Sequence, residues 1–187
     1  MNRYTFKMTS SSERNLPKAF GIGAFIGIIG AFVKWGWEVP FPPRNPSLGF
    51  PYEGMTGAVI HNGILERVTP PQVFLEQLGV PYDWTYTFSG VELPLSIFIV
   101  HILFSVVFGV IYCVASEFFR IIRIWYGAIF AIVSNIFAHI IVMPLMGLVP
   151  LLSEIPFDEN LSEMLGHIFW IFVMELCRRG LIARQAG

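Results

Sequence analysis

The sequence contains few charged residues for its length. Only 13% of its 187 residues are Asp, Glu, Lys or Arg, whereas a soluble domain contains about a quarter. The net charge is −1, and nucleic-acid binding requires clustered Lys and Arg on an exposed face, so nucleic acid is excluded as a partner. Hydrophobic residues make up 55% of the chain and occur in blocks, which excludes an ordinary soluble domain.

The sequence also lacks disulfide and enzyme signatures. Its two cysteines, Cys113 and Cys177, each fall near a predicted cytoplasmic helix end, and that compartment keeps thiols reduced. Ser105 lies one helical turn from His101, but there is neither a nucleophile elbow nor a His-Glu-x-x-His zinc motif. We therefore expect no disulfide, and we expect that the protein is not an enzyme.

Long apolar runs indicate membrane spans. Residues 93–116 and 124–153 contain no Asp, Glu, Lys or Arg, and a helix of about 20 mostly apolar residues crosses the hydrocarbon core of a bilayer. We predict an all-α polytopic membrane protein of about four transmembrane helices, forming a single membrane domain over residues 1–187. The predicted spans are residues 17–37, 93–116, 124–149 and 161–177. The fourth carries Glu163 and Glu175 at its ends, so a helix lying in the membrane interface remains an alternative.

The basic residues predict the orientation of these helices. Nine of them fall in the two terminal tails and in the short loop between the second and third spans. The long first loop contains only Arg44 and Arg67, and the last loop contains none. Because Lys and Arg are enriched on the cytoplasmic side of membrane proteins, both termini are predicted to be cytoplasmic.

The first outer loop, residues 38–92, is too long for a simple connection. Within it, residues 54–68 and 70–78 have the pattern of short amphipathic helices. Trp84 and Tyr86 come shortly before the second span, where aromatic rings favour the headgroup layer. We predict that this loop forms an ordered extracytoplasmic cap.

Several ionisable residues lie within or beside the predicted spans. A charge near the centre of a transmembrane helix costs about 3 kcal/mol, so such residues usually face protein or water and often mark function. Counting from the helix ends at 1.5 Å per residue places six of them in one layer of the outer half of the bilayer. They are Lys34, Glu38, His101, His139, Glu163 and His167.

Helical spacing supports the convergence of these residues. On the second and third helices, polar and small side chains line the face that carries the histidine. The polar members of this stripe are Ser105, Tyr112 and Asn135. On the fourth helix, Glu163 and His167 are four residues apart and can touch.

Four interpretations of this cluster remain open. Polar side chains can simply hydrogen-bond between helices, each bond contributing about 1 kcal/mol or less. Histidine changes charge near about pH 6.5, so the cluster can be a proton-responsive site. A transition metal is a further possibility, because imidazole and carboxylate groups are suitable ligands; these would come from His101, His139, His167 and Glu163. An intramembrane enzyme has the least motif support, and we expect no cofactor other than such a metal.

Several short motifs resemble the YagU family of small bacterial inner-membrane proteins. The most specific is Lys-Trp-Gly-Trp-Glu-Val-Pro at residues 34–40. Further matches are His101 with Phe104-Ser105, Tyr112-Cys113 followed by Glu117, His139, Pro144-Leu145-Met146-Gly147, Ser162-Glu163, Gly166-His167 and Arg178-Arg179. The resemblance covers nearly the whole chain. It implies a multi-pass protein of the bacterial inner membrane that contributes to survival in acid, and it implies no catalytic or ligand residues.

We therefore predict an inner-membrane protein that contributes to acid resistance, with an outward-facing His/Glu/Lys cluster that responds to protons and can serve as a proton or ion pathway. The alternatives are a metal-binding or metal-transport protein and a structural membrane module that binds protein partners. Besides membrane lipid, the expected partner is a second copy of the chain. Gly23, Gly27 and Gly30 form a small-residue helix face suited to that contact, although packing within one chain would use the same glycines.

Overall fold

The structure is a computed structural model that describes residues 6–38, 58–61, 64–67, 70–81 and 84–184. Within these ranges, the side chains of Glu38, residues 58–67 and residues 91–94 are not described. The structure therefore describes the four predicted spans, parts of the predicted outer loop, and the predicted cluster apart from the Glu38 side chain.

Three helical segments in the described part of the chain are long and apolar enough to cross a membrane. They are Leu16–Trp37, Phe98–Phe118 and Arg120–Leu145. The first belongs to helix α1, Leu16–Glu38, and the second to helix α3, Leu95–Phe118. Both begin and end close to the predicted limits because the apolar runs themselves end there. The mainly helical membrane architecture predicted from composition is confirmed.

The third segment is not one regular helix. It consists of a 3₁₀ stretch Arg120–Gly127, helix α4 Ala128–Asn135, a π-helical stretch Ile136–Val142 and the short helix α5 Met143–Leu145. Trp125 and Tyr126 have positive φ angles of 48° and 55°, so the chain turns sharply before α4 begins. Pro144 ends the run, since proline removes a helical hydrogen bond and clashes with the preceding turn.

The last helix, α6, extends from Phe157 to Arg184 and is longer than the predicted fourth span. Its charged residues at both ends keep it outside the set of segments that qualify as spans by composition. One face of it is nevertheless buried against α1 and α4, with Trp170, Ile171 and Met174 almost inaccessible. Whether it spans the membrane is taken up with the proposed function.

The outer loop contains strands as well as a helix. Residues 54–68 were predicted to be helical, but the described part forms an antiparallel hairpin of β1, Ala58–His61, and β2, Ile64–Arg67. That prediction was wrong because the run Ala-Val-Ile-His followed by Ile-Leu-Glu-Arg is rich in β-branched residues, which favour a strand. Helix α2, Pro70–Gln77, confirms the second predicted helix.

A second hairpin leads into α3. It pairs β3, Thr85–Phe88, with β4, Val91–Pro94, and Ser89 and Gly90 form its turn with positive φ angles. The backbone N–H of Leu95 donates to the Trp84 carbonyl, so this hairpin is joined directly to the start of α3. The remainder of the predicted cap, residues 39–57, lies outside the described residues.

Glycine allows α1 and α3 to pack with their backbones in contact. A Cβ atom on Gly27 would lie 2.5 Å from Cα of Val106, and one on Gly109 would overlap the Gly23 carbonyl oxygen. Gly30 faces Trp170 of α6, whose Nε1 atom would lie 2.5 Å from an added Cβ. All three glycines of the predicted small-residue face thus pack inside one chain, and they give no support to a second copy as partner.

The core lies where α1, α3, α4 and α6 meet. Its most buried members are Ile26, Tyr112, Ala131, Ile171 and Met174, each essentially without exposed surface. This apolar core separates two polar groups of residues, one near the end of α1 and the other near the end of α6.

Candidate functional site

An ion pair joins α1 to α6 near the carboxyl end of α1. The Nζ atom of Lys34 lies 2.9 Å from Oε2 of Glu163, and the two side chains are 9% and 16% exposed. Gly166, one turn further along α6, makes room for Trp37, because an added Cβ there would lie 2.8 Å from Cδ1 of that ring. A charge buried in this way is stabilised by its partner, and removing either partner leaves an uncompensated charge.

Two histidines surround the same carboxylate. Nε2 of His139 lies 3.8 Å and Nδ1 of His167 lies 4.0 Å from Oε2 of Glu163. The two imidazole rings meet edge to face, with centroids 4.9 Å apart. One carboxylate oxygen is therefore within 4 Å of three groups that can each carry a positive charge.

The His167 ring is held in one orientation. Its Nδ1 atom lies 2.9 Å from the backbone carbonyl of Glu163, one turn earlier in α6. A carbonyl can only accept a hydrogen bond, so Nδ1 carries the hydrogen and an additional proton would enter at Nε2. The Nδ2 atom of Asn135 lies 3.3 Å from the same Nδ1 atom.

The π-helical stretch positions His139. Asn135 is the last residue of α4, and His139 lies in the middle of Ile136–Val142. A π-helical turn contains an extra residue compared with an α-helical turn, and such turns occur frequently at functional sites. Here the wider turn carries Asn135 and His139 to the same side of α6.

A cavity of about 410 Å³ opens beside the cluster. Its polar lining comes from α4, the π-helical stretch and the first two turns of α6, and consists of Asn135, His139, Glu159, Asn160 and Glu163. Apolar residues such as Ile155 and Phe157 form the remaining wall. His139 and Glu163 of the cluster therefore border a cavity at this end of the bundle.

His101 lies apart from the residues gathered around Glu163. The ring of His101 packs against Trp35, with centroids 5.9 Å apart, and it is not one of the residues gathered around Glu163. Glu38 is the last residue of α1, and its side chain lies outside the described residues. The prediction of one cluster thus holds for Lys34, Glu163, His139 and His167, while the structure places His101 elsewhere.

Two members of the predicted polar stripe hold helices together. The hydroxyl of Ser105 donates to the Gly27 carbonyl at 2.7 Å and accepts from Nε1 of Trp170 at 3.1 Å. The Tyr112 hydroxyl donates to Oε2 of Glu175 at 2.8 Å. Both hydroxyls are buried, and each links α3 to another helix.

Glu175 is the centre of a second polar cluster, near the carboxyl end of α6. The carboxylate is fully buried and accepts hydrogen bonds from the guanidinium groups of Arg178 and Arg179 as well as from Tyr112. The sequence analysis placed Glu175 only at the end of the fourth predicted span. It missed Arg178 because arginines near a helix end usually remain in the interface.

Three side chains of the outer cluster have the composition of a metal site. The ligand atoms of His139, Glu163 and His167 lie within 4.8 Å of one another. The Lys34 ammonium already contacts Oε2 of Glu163, so a divalent cation bound to that oxygen would compete with Lys34. Nδ1 of His167 is engaged with a carbonyl, which leaves Nε2 as the nitrogen that could serve as a ligand.

Sequence reasoning missed three contributors to the site. Gly166 admits the Trp37 side chain, Trp170 packs edge to face on His167, and Glu159 lines the cavity. The signal was present in the spacing of α6. Glu159, Glu163, Gly166 and Trp170 recur every three or four residues and therefore share the face that carries His167.

The fold and the buried ionisable groups define a small α-helical membrane protein with a polar cluster between its helices. The model of the family described as "Protein of unknown function (DUF1440)" matches residues 28–176. The inner membrane protein YagU of Escherichia coli (strain K12) is 39% identical over 184 residues, which cover 94% of this chain and 90% of that protein. The chain therefore belongs to the DUF1440 family, in agreement with the resemblance found in its motifs. No solved structure matches.

The relative and the apolar helices agree on the location. YagU is an inner-membrane protein by its name, and the present chain contains three helices able to cross a membrane. These two observations support an inner-membrane protein.

Proposed function

We propose that this protein contributes to acid resistance through an outward-facing site that responds to external protons. The site consists of Lys34, His139, Glu163 and His167. The family resemblance implies the physiological role, and the geometry around Glu163 supplies a mechanism for it.

The observation that carries the proposal is the crowding of cationic groups around one carboxylate. At neutral pH, Glu163 is paired with Lys34 at 2.9 Å. Protonation of His139, whose Nε2 is 3.8 Å from the same oxygen, adds a second positive charge that both competes for Glu163 and repels Lys34. Acid then weakens the tie between α1 and α6. The cavity gives protons access to His139 from outside.

The arrangement of α6 supports a fourth membrane span. Its residues Glu163, His167 and Glu175 face other helices rather than lipid, as ionisable residues in a membrane do. The basic residues of both tails and of the turn at residues 120–123 then lie at one end, and the cluster lies toward the other. This disposition supports the cytoplasmic location that we propose for both termini.

The core favours a response to protons over a continuous proton pathway. Between the outer cluster and the Tyr112–Glu175 cluster lie the buried apolar side chains of Ile26, Ile171 and Met174. The hydrogen bonds from Trp170 through Ser105 end on the Gly27 carbonyl. In this proposal, protonation of His139 therefore changes how the helices pack.

Metal binding is the second candidate, because His139, Glu163 and His167 bring three ligand atoms within 4.8 Å. A third candidate, a structural module that binds partners, uses the same contacts only to hold helices together. Both alternatives predict that, in the absence of metal, acid survival does not depend on the charge of His139.

The decisive experiment is complementation of acid survival in Escherichia coli cells lacking YagU. The variants are His139→Gln and Glu163→Gln, with Asp158→Asn as a matched control, since Asp158 is an exposed carboxylate at the start of the same helix. We expect survival to fall in both cluster variants at equal protein level and to be unchanged in the control. If all three variants survive acid equally well, the structural module is the remaining interpretation of the cluster.

A second assay distinguishes a response to protons from the conduction of protons across the membrane. Purified protein in lipid vesicles with an internal pH-sensitive dye is exposed to acid outside. We expect no proton entry beyond that of protein-free vesicles. Acid-triggered entry that is lost in the His139→Gln variant would instead make the cluster part of a proton pathway.

A further inference from the structure

The end of the bundle opposite the Lys34–Glu163 pair is strongly basic. The amide of Thr9 donates to the Phe118 carbonyl, and the amide of Asn15 donates to Oε2 of Glu117, so the start of α1 meets the end of α3 there. We call residues 7–18, 117–127 and 175–184 the basic end. It contains eight basic residues and three acidic ones.

The three acidic residues are already engaged. Glu175 is held by Arg178, Arg179 and Tyr112. Glu117 accepts the Asn15 amide, and Glu13 lies 3.3 Å from Arg120 across an exposed contact. The positive charge of the basic end thus exceeds what these carboxylates can balance.

Arg123 is the least balanced of these arginines. Its Nε atom is buried and has no hydrogen-bond partner among the described residues. Its strongest electrostatic neighbours are Arg178, Glu175 and Arg120, and Glu175 is shared with two other guanidinium groups. A half-buried guanidinium between like charges requires an anion from outside the chain.

The turn after Arg123 has the features of a membrane interface. Trp125 and Tyr126 both adopt left-handed backbone conformations that non-glycine residues rarely populate. This turn places the Tyr126 ring beneath the Arg179 guanidinium, 4.2 Å from its centroid. It leaves Trp125 76% exposed, as is typical of tryptophan at the headgroup level.

We propose that Arg123, beside Arg120, binds the phosphate group of an anionic phospholipid from the surrounding leaflet. A guanidinium donates two parallel hydrogen bonds to a phosphate, and basic sites at helix ends recognise anionic headgroups in this way. The proposal uses the membrane disposition of the proposed function but not its response to protons, and the two can fail separately.

The test measures lipid binding by the purified full-length chain in a neutral detergent. Phosphatidylglycerol, cardiolipin, phosphatidylcholine and inorganic phosphate are titrated separately, with thermal stability and native mass spectrometry as readouts. The variant is Arg123→Gln, and Arg184→Gln is the matched control, because Arg184 is an exposed arginine at the end of α6. Arg123→Lys keeps the charge but removes the paired donors.

We expect the two anionic lipids to bind and stabilise the protein, with apparent affinity about tenfold weaker in Arg123→Gln, partly weakened in Arg123→Lys and unchanged in Arg184→Gln. Equal effects of phosphatidylcholine, or equal affinities of Arg123→Gln and Arg184→Gln, would overturn the proposal. Stabilisation by inorganic phosphate to the same extent would assign the site to free phosphate instead of lipid. If Arg123→Gln fails to fold, absence of retained anionic lipid on the unmodified protein also overturns it.

Discussion

The Nζ atom of Lys34 and Oε2 of Glu163 form a buried ion pair between residues 129 positions apart in the chain. The pair connects the end of α1 to the second turn of α6, where Nε1 of Trp37 also donates to the Ser162 carbonyl at 3.2 Å. The stability of this end of the bundle therefore depends in part on two side chains whose charges offset each other.

Removing one partner of this pair is expected to cost more than removing both. Lys34→Met and Glu163→Gln should each lower the free energy of unfolding by about 3–5 kcal/mol, because each leaves a buried polar or charged group unpaired. The double variant Lys34→Met/Glu163→Gln should lose clearly less than the sum of the two. Reversible unfolding in mixed detergent micelles measures the three values. Additive losses would contradict the pairing.

Lys34 is also expected to control metal binding at the cluster. Removing its charge in Lys34→Met leaves His139, Glu163 and His167 with ligand atoms within 4.8 Å and without a competing cation. Equilibrium dialysis against Zn²⁺ should show a stoichiometric site in Lys34→Met and none in the unchanged chain. Tight Zn²⁺ binding by the unchanged chain would favour the metal-binding alternative.

Two glycines of α1 should differ sharply in their tolerance of a methyl group. Gly27→Ala places Cβ 2.5 Å from Cα of Val106 and 2.7 Å from the Ser105 carbonyl oxygen, so the helices must separate and stability should fall by about 1–3 kcal/mol. Gly21→Ala meets nothing within 4 Å and is the matched control. Thermal unfolding of the two variants in the same detergent compares them. Equal melting temperatures would show that α1 and α3 do not approach this closely.

The Tyr112 hydroxyl is expected to contribute to stability, whereas that of Tyr126 is not. Tyr112→Phe removes a buried hydrogen bond to the Glu175 carboxylate, and bonds to charged groups contribute about 1.5–3 kcal/mol. Tyr126→Phe keeps the ring that stacks under Arg179. The free energies of unfolding of the two variants are compared. A similar loss of stability in both variants would place the Glu175 cluster outside the core.

Apolar runs and helical depth were sufficient to predict much of the membrane architecture. The absence of charge in residues 93–116 and 124–149 located two of the three segments that qualify as spans, and residues 17–37 located the third. Counting residues from helix ends correctly brought Lys34, His139, Glu163 and His167 into one layer. Depth alone does not fix rotation about the helix axis, which is why His101 was placed in the cluster but packs on Trp35.

Backbone irregularity could not be predicted in the same way. The π-helical stretch Ile136–Val142 has the composition of an ordinary apolar helix, and its extra residue is determined by packing against α6. The sharp turn at Trp125 and Tyr126 is equally invisible, since neither residue favours positive φ. The hairpin at residues 58–67 was missed because short apolar stretches fit both helical and strand patterns.

The contact between Glu117 and the amide of Asn15 has a consequence for biogenesis. The first turn of α1 receives this contact only after the ribosome has synthesised α3, about a hundred residues later. Lys34 must wait longer still, because Glu163 belongs to α6. A nascent chain that stops before α6 therefore lacks the carboxylate that neutralises Lys34 in the folded protein.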